Sequence, residues 1–354
     1  MLNLINHKSI SHRQDTCFTG KNILSRSSFL FSAFMMSIIA LNFSPSLAWG
    51  QEKSMVVKEI DLTKYGTAGS IDVSNSKQQI VITFNNCNLV FFDYNFNQEN
   101  ELSLTNCKRL FRARYGEINQ QKVLVSSIYT GQSMIYDFKD IFPIPLHKAA
   151  VTDSLIVNND LLSSSDDGSV KLSQLSENPL SSNNTTSLYQ STGVARNLAV
   201  TSKTNSEVNK VAVSYDTGEI TIFDINQNAT QTKPQTFRSI PSRINTFKFT
   251  PDGSKLLIGY FTGELVELDV TTGESKTLLK VDSWLNSLDI NSQNLVLTGD
   301  DEGFVKIISL ETGQVIQQEK ISDNGINAVA FTVDQTMIVA DSKGMIYQLE
   351  ISNF

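Results

Sequence analysis

One segment of this chain recurs seven times, and that repetition limits the possible folds more than any other feature. A small or acidic turn, usually closed by Gly, leads into alternating apolar residues at 85–94 (NNCNLVFFDY), 129–138 (YTGQSMIYDF), 166–175 (DDGSVKLSQL), 216–225 (DTGEITIFDI), 261–270 (FTGELVELDV), 301–310 (DEGFVKIISL) and 342–351 (SKGMIYQLEI). From Cys87 through Gly131, Gly168, Gly218, Gly263 and Gly303 to Gly344, the spacings are 44, 37, 50, 45, 40 and 41 residues. A period of about 40 to 45 residues is that of a repeated four-stranded sheet.

A second apolar run precedes each copy, as at 210–215 (KVAVSY), 255–260 (KLLIGY), 294–299 (NLVLTG) and 336–341 (TMIVAD). Before that comes a third, clearest where Asn245, Asn286 and Asn327 follow Ile244, Leu285 and Ile326. Period-two alternation bounded by Gly, Asp and Asn turns predicts antiparallel strands, and no sustained helical period appears after residue 48. The last repeat is one strand short, whereas a surplus strand, 55–62 (MVVKEIDL), precedes the first sheet's inner strand near Ala68–Val73. Surplus and deficit match. The expected fold is all-β: a seven-bladed β-propeller of four antiparallel strands per blade, closed by the N-terminal strand in the last blade.

Residues 1–48 differ from the rest. Lys21 and Arg26 precede the uncharged run Phe29–Phe43, and Pro45, Ser46 and Ala48 follow. That pattern reads as a secretory signal peptide cleaved after Ala48, the run being shorter than the ~20 residues of a membrane span; an uncleaved anchor is the alternative. The expected domains are then a signal peptide at 1–48 and a propeller at 49–354, and the expected location is periplasmic or secreted. Without residues 1–48 the chain carries 25 basic and 35 acidic side chains. Such an excess of acid argues against nucleic acid as a partner, and no stable membrane insertion is expected after cleavage.

Segments 244–259, 163–175 and 299–316 resemble WD40 repeats, in which an inner strand ends at a Pro-Asp-Gly turn and an Asp-Gly turn opens the third strand. Phe92-Asp93, Tyr136-Asp137, Phe223-Asp224 and Leu268-Asp269 stand where that family has Trp-Asp. The family's Gly-His dipeptide is absent, a departure from the residues of the usual His-to-Asp network that implies blades resting more on packing. The resemblance spans about 55–354 and implies a platform for protein assembly, identifying no ligand.

Catalytic chemistry finds little material. His147, in the turn between blades 2 and 3, is the only histidine after residue 48, and no G-x-S-x-G elbow occurs, so a hydrolytic triad has no base. Asp166-Asp167 and Asp300-Asp301-Glu302 could attract a cation but sit where tight turns favour Asp. Of the two Trp, Trp49 lies beside the cleavage site. No cofactor, metal site or catalytic residue is expected. Cys87 and Cys107 flank the outer hairpin of blade 1, and a register symmetric about Asn97 places them face to face. Export then predicts a disulfide, two free buried thiols being the alternative.

The loops entering the inner strands and those between second and third strands open on one face, which would carry Arg196, Arg243 and Trp284 as a protein-binding surface. A Trp284 that plugs the gap between blades is the competing reading. Asn245, Asn286 and Asn327 read as structural, and 176–187 reads as a mobile Ser/Asn/Thr loop. The function expected is a non-catalytic, monomeric scaffold. Its partner is expected to be a protein, in a narrower form a periplasmic respiratory reductase such as nitrate reductase, whose WD40-like accessory proteins it resembles. The alternative is a propeller hydrolase or lactonase with a divalent cation in the central channel.

Overall fold

In the computed structural model, residues 54–177, 180–201, 210–225, 234–332 and 336–351 are described. The expected signal peptide and Trp49 lie outside them. Seven four-stranded antiparallel sheets form the blades of a β-propeller. Their innermost strands are Ala68–Ser74, Leu110–Ile118, Val151–Val157, Ala195–Val200, Ile244–Phe249, Leu285–Ile290 and Ile326–Phe331, and blades 1 to 7 are numbered in that order. Val56–Asp61 pairs antiparallel with Met345–Leu349 and becomes the outermost strand of blade 7. The surplus strand fills the deficit and leaves no open ring edge.

A propeller has no single core. The buried apolar side chains form seven clusters, each between neighbouring blades: Leu110 and Leu124 meet Leu89 and Phe91 between blades 2 and 1, and Ala340 and Ile346 meet Ile80 and Phe84 between blades 7 and 1. The next-to-last residue of each second strand is small and buried: Thr83, Ser127, Ser164, Ser214, Gly259, Gly299 and Ala340. The reason shows at Gly259, where an added Cβ would lie 2.3 Å from Leu285 of the next blade. Tight stacking of twisted sheets requires that row.

The turn between second and third strands needs a left-handed residue. Gly131, Gly168, Gly218, Gly263, Gly303 and Gly344 have φ between 76° and 95°, and Cys87 fills the same place at φ 73°. At the glycines the connection to the next blade presses so close that a Cβ would lie 2.0–2.6 Å from a carbonyl oxygen. Blade 1 carries a Cβ there, and its Sγ stands at bonding distance from Cys107 in that same connection, with Cα–Cα 5.9 Å. The hairpin register differs from the symmetric one: Asn88 faces Ser103, Cys87 O accepts from Leu104 N, and Cys107 lies beyond the outer strand. The disulfide therefore ties turn to connection rather than strand to strand. Reduction is expected to lower unfolding free energy by about 3 kcal/mol, checked as the shift in urea midpoint with reductant. Among reduced-equivalent variants, Cys87→Gly with Cys107→Ser should be more stable than Cys87→Ser with Cys107→Ser by about 1–2 kcal/mol, because glycine accepts the left-handed backbone.

The mobile-loop expectation for 176–187 is corrected. Ser169–Glu177 and Leu180–Gln190 form the longest hairpin of the ring. Ser173 Oγ lies 2.9 Å from Thr185 Oγ1 and Ser176 Oγ 2.7 Å from Ser181 Oγ, so short hydroxyl side chains pair across strands whose outer side faces water.

Candidate functional site

The face is assembled by one backbone hydrogen bond per blade. The residue opening each turn after the second strand donates its N–H to the residue just before the innermost strand: Asn85 to Thr67, Tyr129 to Arg109, Asp166 to Ala150, Asp216 to Val194, Phe261 to Arg243, Asp301 to Trp284 and Ser342 to Gly325, at 2.8–3.1 Å. These fourteen positions rim the channel mouth. Every innermost strand begins with a β-bulge, which turns one extra residue out of the ladder.

Arg243 and Trp284 hold the same rim position in blades 5 and 6, whereas Arg196 lies within the innermost strand of blade 4, at its bulge. Trp284 is 46% exposed and stacks on Phe261 with ring centroids 4.2 Å apart, while the Arg243 guanidinium lies over the same Phe261 ring at 5.9 Å. Trp284 thus leans on the preceding blade without filling the gap between them. Arg196 pairs with Asp166 at 3.4 Å, and its Nε is buried without a partner. Partial burial, then the neighbouring Arg196 charge, push the Arg243 guanidinium below its usual range, with Asp216 opposing.

The fold adds Phe261 and a whole second station to these three residues. In blade 2, Arg109 lies over Phe111 at 5.2 Å, and Phe111 lies 6.3 Å from Tyr129, which is 52% exposed. Arg109 and Tyr129 occupy the positions that Arg243 and Phe261 hold three blades away. The signal was present: Tyr129-Thr130-Gly131 and Phe261-Thr262-Gly263 put an aromatic where blades 3, 4 and 6 have Asp.

The asparagines are staples between blades. Asn245 Nδ2 donates to Leu285 O at 3.3 Å, Asn327 Nδ2 to Ala68 O at 3.0 Å and Asn197 Nδ2 to Asn245 O at 3.0 Å, while Asn286 donates to Asp301 at 3.2 Å. The acidic turns bond mostly their own backbone: Asp167 accepts from Ser169 N, and Asp300 from Glu302 N and Phe304 N.

Packing is joined by one buried hydrogen-bond chain. The side chain of His147 is wholly buried in the connection entering blade 3, with Nε2 2.8 Å from Ser163 Oγ and Nδ1 2.9 Å from Ser169 Oγ. Ser169 donates to Asp167, so its hydroxyl accepts from Nδ1–H and Ser163 donates to Nε2. That chain fits the neutral ring. Burial, with Lys171 adding to it against Asp167, pushes the His147 pKa from 6.5 down to about 4. The unfolded chain therefore binds a proton that the folded chain refuses between those values, and stability falls as pH falls through that window. Urea unfolding above pH 6.5 and close to pH 4 should differ by roughly 2–3 kcal/mol more in the unaltered chain than in His147→Gln.

The innermost strands line a central channel of about 470 Å³. Their ladder-free edge is satisfied by side chains of the preceding blade: Asp72 accepts from Tyr115 N at 2.7 Å, Asp153 from Leu198 N at 2.9 Å, Asp289 from Phe331 N at 2.8 Å and Ser287 from Val329 N at 3.1 Å. Asp153, fully buried, also receives Arg112 at 3.1 Å and both Nε and an Nη of Arg114 at 3.1 and 2.7 Å. Lys248 pairs with Asp289. Among the described residues, no group of three His, Cys, Asp or Glu side chains is placed to hold a metal ion. No protein-family model matches the chain, and no curated protein matches it.

Proposed function

We propose that this chain is an exported, non-catalytic scaffold of WD40-like build that holds a protein partner on its turn face. The observation that carries the reading is Trp284, half exposed and stacked on Phe261 under Arg243, at the rim of a closed ring. Exposed aromatic surface beside arginine is the composition of an interface anchor, and a rigid ring supplies it with little ordering entropy. A narrower form, an accessory protein of a periplasmic respiratory reductase such as nitrate reductase, draws on the degenerate WD40-like repeats and the signal-like N-terminus. The protein would act as a monomer in the periplasm or outside the cell. A propeller hydrolase with a channel-bound cation needs converging, unclaimed carboxylates, and of the two lining the channel Asp289 is taken by Lys248.

The test is capture from the source cell envelope with the whole chain as bait. Trp284→Ala should weaken recovery of a specific partner about tenfold or more, whereas Val57→Ala, on the outer strand of blade 7, should leave it unchanged. Equal recovery by both variants would remove this face from the reading.

A further inference from the structure

Five charged side chains line the channel: Asp72, Arg112, Arg114, Lys248 and Asp289. Lys248 and Asp289 neutralise one another. Arg112 and Arg114 share the single carboxylate of Asp153 behind the wall, and both also feel the charge of Asp72 without a direct ion pair to it. Arg112 gives Asp153 one hydrogen bond, a fraction of its five donors, while it lines the lumen. Asp72 is the complementary charge, held apart from them. It takes one N–H, from Tyr115, and makes no ion pair among the described residues. Asp72 and Arg112, joined by no direct ion pair, belong to adjacent blades 1 and 2, and Ala199, Val200 and Ala330 also line the channel.

We propose that the channel binds a small zwitterion, an amino acid in chemical class, with its ammonium group on Asp72 and its carboxylate on Arg112. A cavity of about 470 Å³ falls within the ~300–1,000 Å³ of small-molecule sites. A dianion would meet Asp72 and Asp289, and a dication the arginine fork; only a molecule with both charges can bridge Asp72 and Arg112, which make no direct ion pair. Burial pushes the Asp72 carboxyl up, while the Tyr115 N–H, Arg114 and Lys248 pull it down and Asp289 adds to the rise. An ammonium group at Asp72 would favour its ionised form. The proposal is independent of what the turn face holds.

Calorimetry and thermal unfolding of the whole purified chain with γ-aminobutyrate, glutarate and 1,4-diaminobutane, each at the same millimolar concentration, test it. γ-Aminobutyrate should bind most tightly and raise Tm the most. Asp72→Asn, which keeps an acceptor for Tyr115 N–H, should weaken γ-aminobutyrate about tenfold or more and make glutarate the better ligand. Arg112→Gln should weaken γ-aminobutyrate and spare the diamine. No binding by any probe, preference of the unaltered chain for glutarate or the diamine, or undiminished γ-aminobutyrate binding in Asp72→Asn overturns the proposal. If Asp72→Asn does not fold, the ranking of the three probes on the unaltered chain decides by itself.

Discussion

Asp153→Ala is expected to lower unfolding free energy by about 3–5 kcal/mol, the range for removing one partner of a buried ion pair. The carboxylate is wholly buried and gathers donors from three blades: Arg112 and Arg114 of blade 2, its own neighbour Ser154 N, and Leu198 N of blade 4. Arg114 also reaches Leu198 O at 3.0 Å, so the cluster spans blade 3 from either side. Without Asp153 two guanidinium groups lose their counter-charge, and an inner-strand N–H loses its acceptor. The midpoint of guanidinium unfolding reads the effect, with Lys248→Ala as comparison. Lys248 has a half-exposed side chain, and its pair with Asp289 is expected to contribute no more than about 1 kcal/mol. Similar midpoints for the two variants would mean that the Asp153 cluster does not hold the blades together.

Removing residues 54–62 from the propeller is expected to have an effect at least as large. Met55 and Leu62 are buried, and Val56–Asp61 covers the edge of Met345–Leu349. Burial of the two apolar side chains alone contributes about 3–6 kcal/mol. The shortened chain also exposes the edge of blade 7, a template for intermolecular pairing. Size-exclusion chromatography should show aggregation or a broad, unfolded profile in place of a single compact species. A synthetic peptide covering 54–62, added in excess, should restore part of the compact peak by strand addition. A shortened chain that stays compact and keeps its Tm would show that closure contributes little.

Much of the ring was legible before any coordinates because its demands are local. A left-handed residue must close each turn, so Gly recurs at a fixed place; a half-buried strand must alternate, so apolar residues recur in twos. The count of strands at the two ends then required closure. Cys87 and Cys107 were legible as neighbours in blade 1 but not in their geometry, because the connection that carries Cys107 folds over the turn instead of continuing the hairpin. Segment 176–187 was misread because Ser, Thr and Asn are compatible with both loops and solvent-facing outer strands, and only the backbone ladder separates the two.

The candidate sites divide along the same line. Arg243 and Trp284 could be assigned to one face from repeat positions alone, since equivalent residues of consecutive repeats must share a rim, and Arg196 lies two residues further along its own repeat. The aromatic turns at Tyr129 and Phe261 carry the same kind of signal, standing where blades 3, 4 and 6 have Asp. His147 was placed in its turn by the sequence, but its hydroxyl partners Ser163 and Ser169 lie on other strands and came from the fold.

The amino-acid sequence by itself determined the repeat, the strand alternation, the turn backbones and the closure, because each depends on residues near one another in the chain. Tertiary structure alone decided which charges meet. Arg112 and Asp153 are 41 residues apart, and Asp72 and Tyr115 are 43. Separations of one repeat become contacts only when the ring closes and sets equivalent positions of neighbouring blades side by side around the channel.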